Sequence, residues 1–387
     1  MYCPKCGTQN AEHAQTCVSC GQILTAAAPA AMSVQVKTSG LAIAAFVLGI
    51  LSLFTLGLTA IPAIILGIVG LSAIGRSGGR LSGSAFAVIG IILPVLSFAA
   101  VLLLAILMPA LARTRSLAFR TTCGTNLSGI GKAMMIYAND YEDELPRAGG
   151  RQSTWGPVTW DAGTRFQAYC VDAKGNGGTA NISSCFYLLV KYGEVTPKSF
   201  ICKGDKGTSE FKIEDIAGRR SMLEEIDLWN FGPEAWKHCS YSYHMPFGQY
   251  FLTTSCNPGF AVAADRNPFI KSPAAEAADY AGFQPDAAGY TGTRTTARIG
   301  NTIAHQGDGQ YVLFLDTHVE FAKRPWRSVD DDNIYLISER TDGTGSMRGN
   351  MPVPPNVVPA SRNDSVLVHD PDTLVRGRAT RPTRPRR

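Results

Sequence analysis

The chain has 387 residues, of which 17% are charged, and a formal net charge of +5. Six arginines and no acid fall in the last twelve residues, "RGRATRPTRPRR", so the rest is close to neutral and gives no basis for nucleic-acid binding across the chain. No acidic residue occurs between Glu12 and Asp140, which leaves a long stretch without negative charge.

The first 24 residues hold Cys3, Cys6, Cys17 and Cys20 as two C-x2-C pairs, followed by Gly7 and Gly21. Four thiolates at this spacing suit a tetrahedral structural Zn²⁺ and leave no open position for catalysis. Two redox C-x-x-C motifs are the alternative, but no βαβ pattern surrounds them. His13 reads as a surface residue, because four cysteines already fill the shell. The stretch resembles the short zinc ribbons at the N-termini of many bacterial membrane proteins. Its thiols must stay reduced, which points to the cytoplasm.

Residues 25–40 read as an Ala-rich linker. No charge occurs from Thr38 to Gly75, or from Leu81 to Ala112. A single helix over the first run would reach roughly 57 Å, against a hydrocarbon core of about 30 Å. Gly57 and Pro62 break it, so spans are expected near 41–57, 60–75 and 85–112, within a transmembrane domain of residues 41–112. The apolar run begins too late for a cleavable secretory signal. The words "AIPAIILG" and "SGGR" resemble a small bacterial membrane domain of unknown function that often follows zinc ribbons. Lys37, Arg76 and Arg80 argue for a hairpin with both ends in the cytoplasm, after which the third span exports the remainder. Arg113, Arg115 and Arg120 argue the opposite way and keep a two-span arrangement open.

Leu127, Ile130, Met134, Tyr137 and Tyr141 make one apolar stripe at helical spacing. Pro109 is expected to kink this long helix and Pro146 to end it. The segment resembles the N-terminal helix of type II secretion pseudopilins, in particular the large pilin-like family of planctomycetes. Matching residues are Pro109, Ala110, Leu111, Ala112, Arg113, Cys123, Asn126, Leu127, Ile130, Gly131, Tyr137, Ala138, Asp140 and Pro146. Later words match in order: "FICKGD", "CSYSYHM", the hairpin "HQGDGQYVLFLDTHVEF" and "DNIY". The resemblance covers roughly residues 104–340. It implies an α+β fold with a long kinked helix packed on an antiparallel sheet, an exported domain at residues 113–345, and secretion or pilus-like components as partners. The family's Gly-Phe processing site and following acidic residue are missing. Residues 1–112 are therefore expected to stay attached as a permanent anchor in the inner membrane.

In the hairpin, Tyr311, Leu313 and Leu315 alternate with Val312 and Phe314, and a turn falls at Asp316-Thr317. The structural reading has His305, Asp316 and His318 fixing the turn through hydrogen bonds. Two further readings are a cation site at Asp308 and Asp316, with Ca²⁺ suited to such ligands, and a catalytic His305/Asp316/His318 group. No nucleophile elbow, phosphate loop or dinucleotide motif is visible, so no enzyme activity and no small-molecule substrate are expected. Trp155, Trp160 and Trp236 read as packing residues, with a glycan surface as the alternative. The tail from about Ser346 reads as disordered, its arginines free to meet lipids or anionic envelope polymers.

Six cysteines remain: Cys123, Cys170, Cys185, Cys202, Cys239 and Cys256. Their even number and wide spread suit disulfides in an oxidising compartment. Cys123 with Cys202 is the pairing expected first. The functional expectation is a membrane-anchored structural or interaction protein. A sensor or ligand-binding protein relaying through the ribbon is the alternative.

Overall fold

The computed structural model describes residues 1–24, 36–55, 57–216, 223–285 and 294–375. The chain divides into two compact units, Met1–Leu111 and Ala112–Arg387.

In the first unit, β1 (Lys37–Thr38) pairs in parallel with β2 (Leu81–Ser82) and ties the loop before helix α1 (Gly40–Phe54) to the one after helix α2 (Ala60–Arg76). Helix α3 begins at Ser84. Each helix buries small residues at one spacing: Ala42, Ala45, Gly49 and Ser52 on α1; Ala60, Ala63, Gly67 and Gly70 on α2; Ala87, Gly90, Pro94 and Ser97 on α3. Small side chains let helix backbones approach closely. Ser52 and Ser97 meet within this seam, Oγ to Oγ at 3.2 Å. The large apolar residues, among them Val47, Leu53, Ile61, Ile65, Val95 and Phe98, face outward. Of the described helices, α3 alone is long and apolar enough to cross a membrane; α1 and α2 are shorter apolar helices.

α3 runs to Asp140, across Pro94 and Pro109. It stops short of Pro146, where the sequence placed its end. Asp143 N–H donates to Ala138 O at 2.9 Å, and Glu142 and Asp143 take positive φ. That closure satisfies the Ala138 carbonyl, one of the last in the helix, before the proline is reached.

The second unit centres on five antiparallel strands: β5 (Tyr241–His244), β6 (Ala261–Asp265), β7 (Gln310–Phe314), β8 (Val319–Ala322) and β9 (Leu367–Val368), in the order β8-β7-β6-β5-β9. Between α3 and this sheet, in chain order, come β3 (Thr154–Trp155), α4 (Arg165–Tyr169), β4 (Thr179–Ala180) and α5 (Ile182–Tyr192), with β3 parallel to β4. Two short helices complete the unit, α6 (Thr295–Arg298) and α7 (Asp372–Val375).

Leu127, Ile130, Met134 and Tyr137 of α3 are buried, while Tyr141 remains 39% exposed and stacks on Tyr137. The helix meets β7 through two glycines. A Cβ at Gly124 would lie 2.7 Å from the Tyr311 ring, and one at Gly131 would lie 2.6 Å from Leu313 Cδ1. Leu313 and Leu315 face this core. Val312 and Phe314 face a second core with Trp326, Ile334, Tyr335 and Leu336. Both faces of the strand are therefore buried, as its unbroken apolar run requires.

The tail corrects the sequence reading. Residues 346–375 are folded, β9 is the sheet's edge strand against β5, and residues 366–370 are buried. The arginine cluster at 376–387 and the linker residues 25–35 lie outside the described residues.

Candidate functional site

The four ribbon cysteines come together through two near-copies of one turn. Gly7 N–H donates to Cys3 O and Gly21 N–H to Cys17 O, both at 2.9 Å, with φ of 72° at each glycine. The Sγ atoms lie 3.6 Å apart for Cys3 and Cys20 and 3.4 Å apart for Cys6 and Cys17. All four fall within 4.8 Å of one another. A Zn–S bond of about 2.3 Å gives tetrahedral S–S edges of about 3.8 Å, so the set fits one structural zinc. Burial resists ionisation of Cys17, but the N–H groups of Ser19 and Cys20 outweigh it and bring its thiol down to about 6. The Gln22 N–H favours the Cys20 thiolate, yet Cys6 and burial push that thiol up to about 12. Without a cation the thiolate forms of these cysteines repel one another; a divalent ion removes the conflict. Asn10, absent from the sequence reading, holds the two turns together. Its Oδ1 accepts from Val18 N–H at 3.0 Å and its amide lies 3.6 Å from Cys17 Sγ.

In the second unit the matched words converge. Asn126 of α3 donates to Ile201 O at 3.1 Å and to the Tyr241 hydroxyl at 3.3 Å. Cys123 and Cys202 form a disulfide, with Cα atoms 5.3 Å apart. Tyr335 of "DNIY" donates to Asp265 O at 2.8 Å.

Other expected residues land differently. Cys170, Cys185, Cys239 and Cys256 are free thiols, against the expectation that all six pair. Burial pushes Cys185 and Cys239 up to about 12 and leaves them inert as nucleophiles. Asp308 and Asp316 do not form a cation site. Asp308 is taken by Arg120 and Arg298, and Asp316 by His318 at 2.5 Å. Asp316 does fix the turn, accepting from His318 N–H at 3.1 Å, with Thr317 at φ 70°. His305 is not part of that turn. It is buried beside Asp265, with Nε2 3.0 Å from Oδ2, so His305, Asp316 and His318 do not assemble as a catalytic group. Trp155 is buried, as packing requires, and its indole N–H donates to Asp370 at 2.7 Å.

Sequence reasoning missed a buried ion pair. Asp205 of "FICKGD" meets Arg266 at 2.9 Å, with both side chains almost fully enclosed. Burial raises Asp205, and Arg266 offsets the shift. Only the motif word offered a signal; Arg266 and Asp265 carried none.

A zinc-ribbon domain model matches residues 2–24. A model described as a domain of unknown function (DUF4190) matches residues 41–104. No curated protein and no solved structure matches the chain. Both family matches lie within the first 104 residues, so the reading of the second unit rests on its own residues. The zinc-ribbon match with its four convergent cysteines supports a structural zinc, and the DUF4190 match with one helix long and apolar enough to cross a membrane points to membrane association.

Proposed function

We propose that the chain is a membrane-anchored, pseudopilin-like structural or interaction protein of the bacterial cell envelope. The ribbon faces the cytoplasm and the second unit is exported. One observation carries the reading. α3 is apolar in its first half, where the residues it buries are the small ones and Pro94 of the seam, and in its second half it presents a buried stripe and two contact glycines to an antiparallel sheet. A helix that anchors and then packs on a sheet suits a subunit or adaptor of a secretion or pilus-like apparatus. The Cys123–Cys202 disulfide agrees with export. On this reading the protein is not an enzyme, and α1 with α2 forms a membrane hairpin that makes the span count odd. The alternative, a membrane-anchored ligand-binding protein, draws on a cavity of about 480 Å³ lined by Tyr137, Arg147, Arg151, Arg165 and Trp229.

Thiol labelling of intact cells tests the topology. Cys170 is exposed and free. A membrane-impermeant maleimide should label it in intact cells and reach Cys6 only after lysis with a chelator that strips the ribbon's zinc. Labelling of Cys170 only after lysis would place the second unit in the cytoplasm and remove the secretion reading.

A further inference from the structure

The disulfide does not stand alone. Cys123 Sγ, Cys202 Sγ, a carboxylate oxygen of Asp265 and a ring nitrogen of His305 all lie within 4.8 Å of one another, and all four residues are buried. They come from four segments: α3, the loop after residues 197–200, the end of β6, and the turn Ile303–His305. Asp265 Oδ2 accepts the Tyr311 N–H at 2.7 Å. Its Oδ1 is buried without a hydrogen-bond partner. His305 Nε2 approaches Oδ2 at 3.0 Å but lacks hydrogen-bond alignment. A buried carboxylate oxygen and an imidazole nitrogen left in this way cost stability unless something else takes them up.

We propose that this cluster is a second metal site, for Zn²⁺, that forms when the Cys123–Cys202 bond is reduced. Two thiolates, one imidazole nitrogen and one carboxylate oxygen are a tetrahedral zinc donor set. Disulfide and metal are alternatives, because the bonded sulfurs have no thiolate to give. A dithiol reductant supplies two electrons and two protons. The S–S bond breaks, two cysteine thiols form, and the dithiol leaves as its own disulfide. Zn²⁺ then displaces both thiol protons to solvent and takes Asp265 Oδ1 and His305 Nε2 as its remaining ligands. The surroundings suit this role. Tyr311 and Phe321 stand edge-on to the His305 ring at 6.2 and 5.9 Å, and Arg120 covers Phe321 at 5.1 Å. Such neighbours fix a ligand's orientation. His305 also lines a cavity of about 630 Å³ with Phe119, Arg120 and Gly204, which offers an ion a way in. The disulfide joins α3 to one loop; the metal joins α3 to that loop, to β6 and to the 303–305 turn. The second unit therefore stays clamped in either redox environment, on whichever side of the membrane it lies.

The full chain in detergent, carrying Cys3→Ser, Cys6→Ser, Cys17→Ser and Cys20→Ser to silence the ribbon, tests this. Half is reduced with a dithiol and desalted without air; half is kept oxidised. Each is given Zn²⁺, or Co²⁺ as a spectroscopic stand-in. The reduced form should hold about one equivalent of zinc and show a thiolate-to-cobalt charge-transfer band, and the oxidised form should show neither. His305→Ala and Asp265→Asn should lose the band while still re-forming the Cys123–Cys202 bond in air, which shows that they fold. No band in the reduced parent overturns the proposal, as does a band of parental strength in both variants. If neither variant re-forms its disulfide, the parent's reduced-versus-oxidised comparison decides alone.

Discussion

At the residue scale, the clearest consequence lies with a pair of buried carboxyls. Asp332 accepts from the N–H groups of Ser346 and Ser365, both at 3.0 Å. Asp364 accepts from Ser338 at 3.1 Å and from Ala360. Burial, then the neighbouring Asp364, pushes Asp332 up to about 8; burial pushes Asp364 up to about 6. A folded-state value above the unfolded one means that the native chain keeps a proton the unfolded chain releases. That contribution is full at low pH and is lost as pH rises through the folded value. Buried His244 and His369 run the other way. Burial lowers His244 to about 4 and His369 further, so their contribution is present above 6.5 and lost as pH falls below it. Between pH 6.5 and 8.5, Asp332 is therefore the group of these four that sets the slope. Stability of the second unit should fall across that window by roughly 1–2 kcal/mol, at about 1.4 kcal/mol per proton per pH unit. All five tryptophans lie beyond residue 150, so tryptophan fluorescence during melting reports this unit. Asp332→Asn should flatten the decline. A melting temperature that rises from pH 6.5 to 8.5 contradicts the assignment. None of these four groups was legible as buried, because each also depends on a partner far away in sequence: Ser365 for Asp332, Ser338 for Asp364, Val366 for His244 and Lys271 for His369. The ribbon cysteines were legible because their metal spacing is local.

At the scale of elements, the break between α1 and α2 and the apolar stripe of α3 could be read from Gly57, Pro62 and the spacing of Leu127, Ile130, Met134 and Tyr137. The seam joining the first three helices could not. Those helices are apolar all round, so polarity carries no helical period, and the period resides in side-chain size. Gly90 sits at the tightest point of that seam. A Cβ there would come within 2.6 Å of Ala45 C and 2.8 Å of Phe46 N, both backbone atoms that no rotamer change can move. A Cβ on Gly75, also helical, meets nothing within 4 Å. Gly90→Ala should therefore destabilise the detergent-solubilised protein by about 1–3 kcal/mol through overpacking. Gly75→Ala should leave it unchanged or slightly more stable, since alanine is the better helix former. Thermal unfolding followed by helical circular dichroism compares the two. Equal melting temperatures would mean that α1 and α3 do not pack through Gly90.

At the scale of the whole molecule, composition misled at the C-terminal end. Residues 346–375 lack apolar periodicity because their structural task is short and non-local. β9 is only Leu367–Val368, and it matters by covering the β5 edge of the sheet. Asp370 then reaches across the unit. Its carboxylate accepts from Ile182 and Ser183 N–H at 3.0 and 2.7 Å, serving the start of α5, and from the Trp155 indole at 2.7 Å. Ser365 completes Asp332 from the same segment. A chain cut after residue 345, where the sequence placed the domain boundary, loses all of these at once. It exposes the β5 edge and leaves three donors around α5 without their acceptor, and each buried donor so abandoned costs about 1–3 kcal/mol. A small unit is stable by only about 5–15 kcal/mol in total. The chain ending at 375 should therefore melt like the full-length protein. The chain ending at 345 should lose cooperative melting and show red-shifted tryptophan fluorescence. Asp370→Ala in the full chain should fall between them and remain cooperative but less stable. If the 345-residue chain melts cooperatively within a few degrees of the 375-residue chain, β9 and Asp370 do not hold the second unit together.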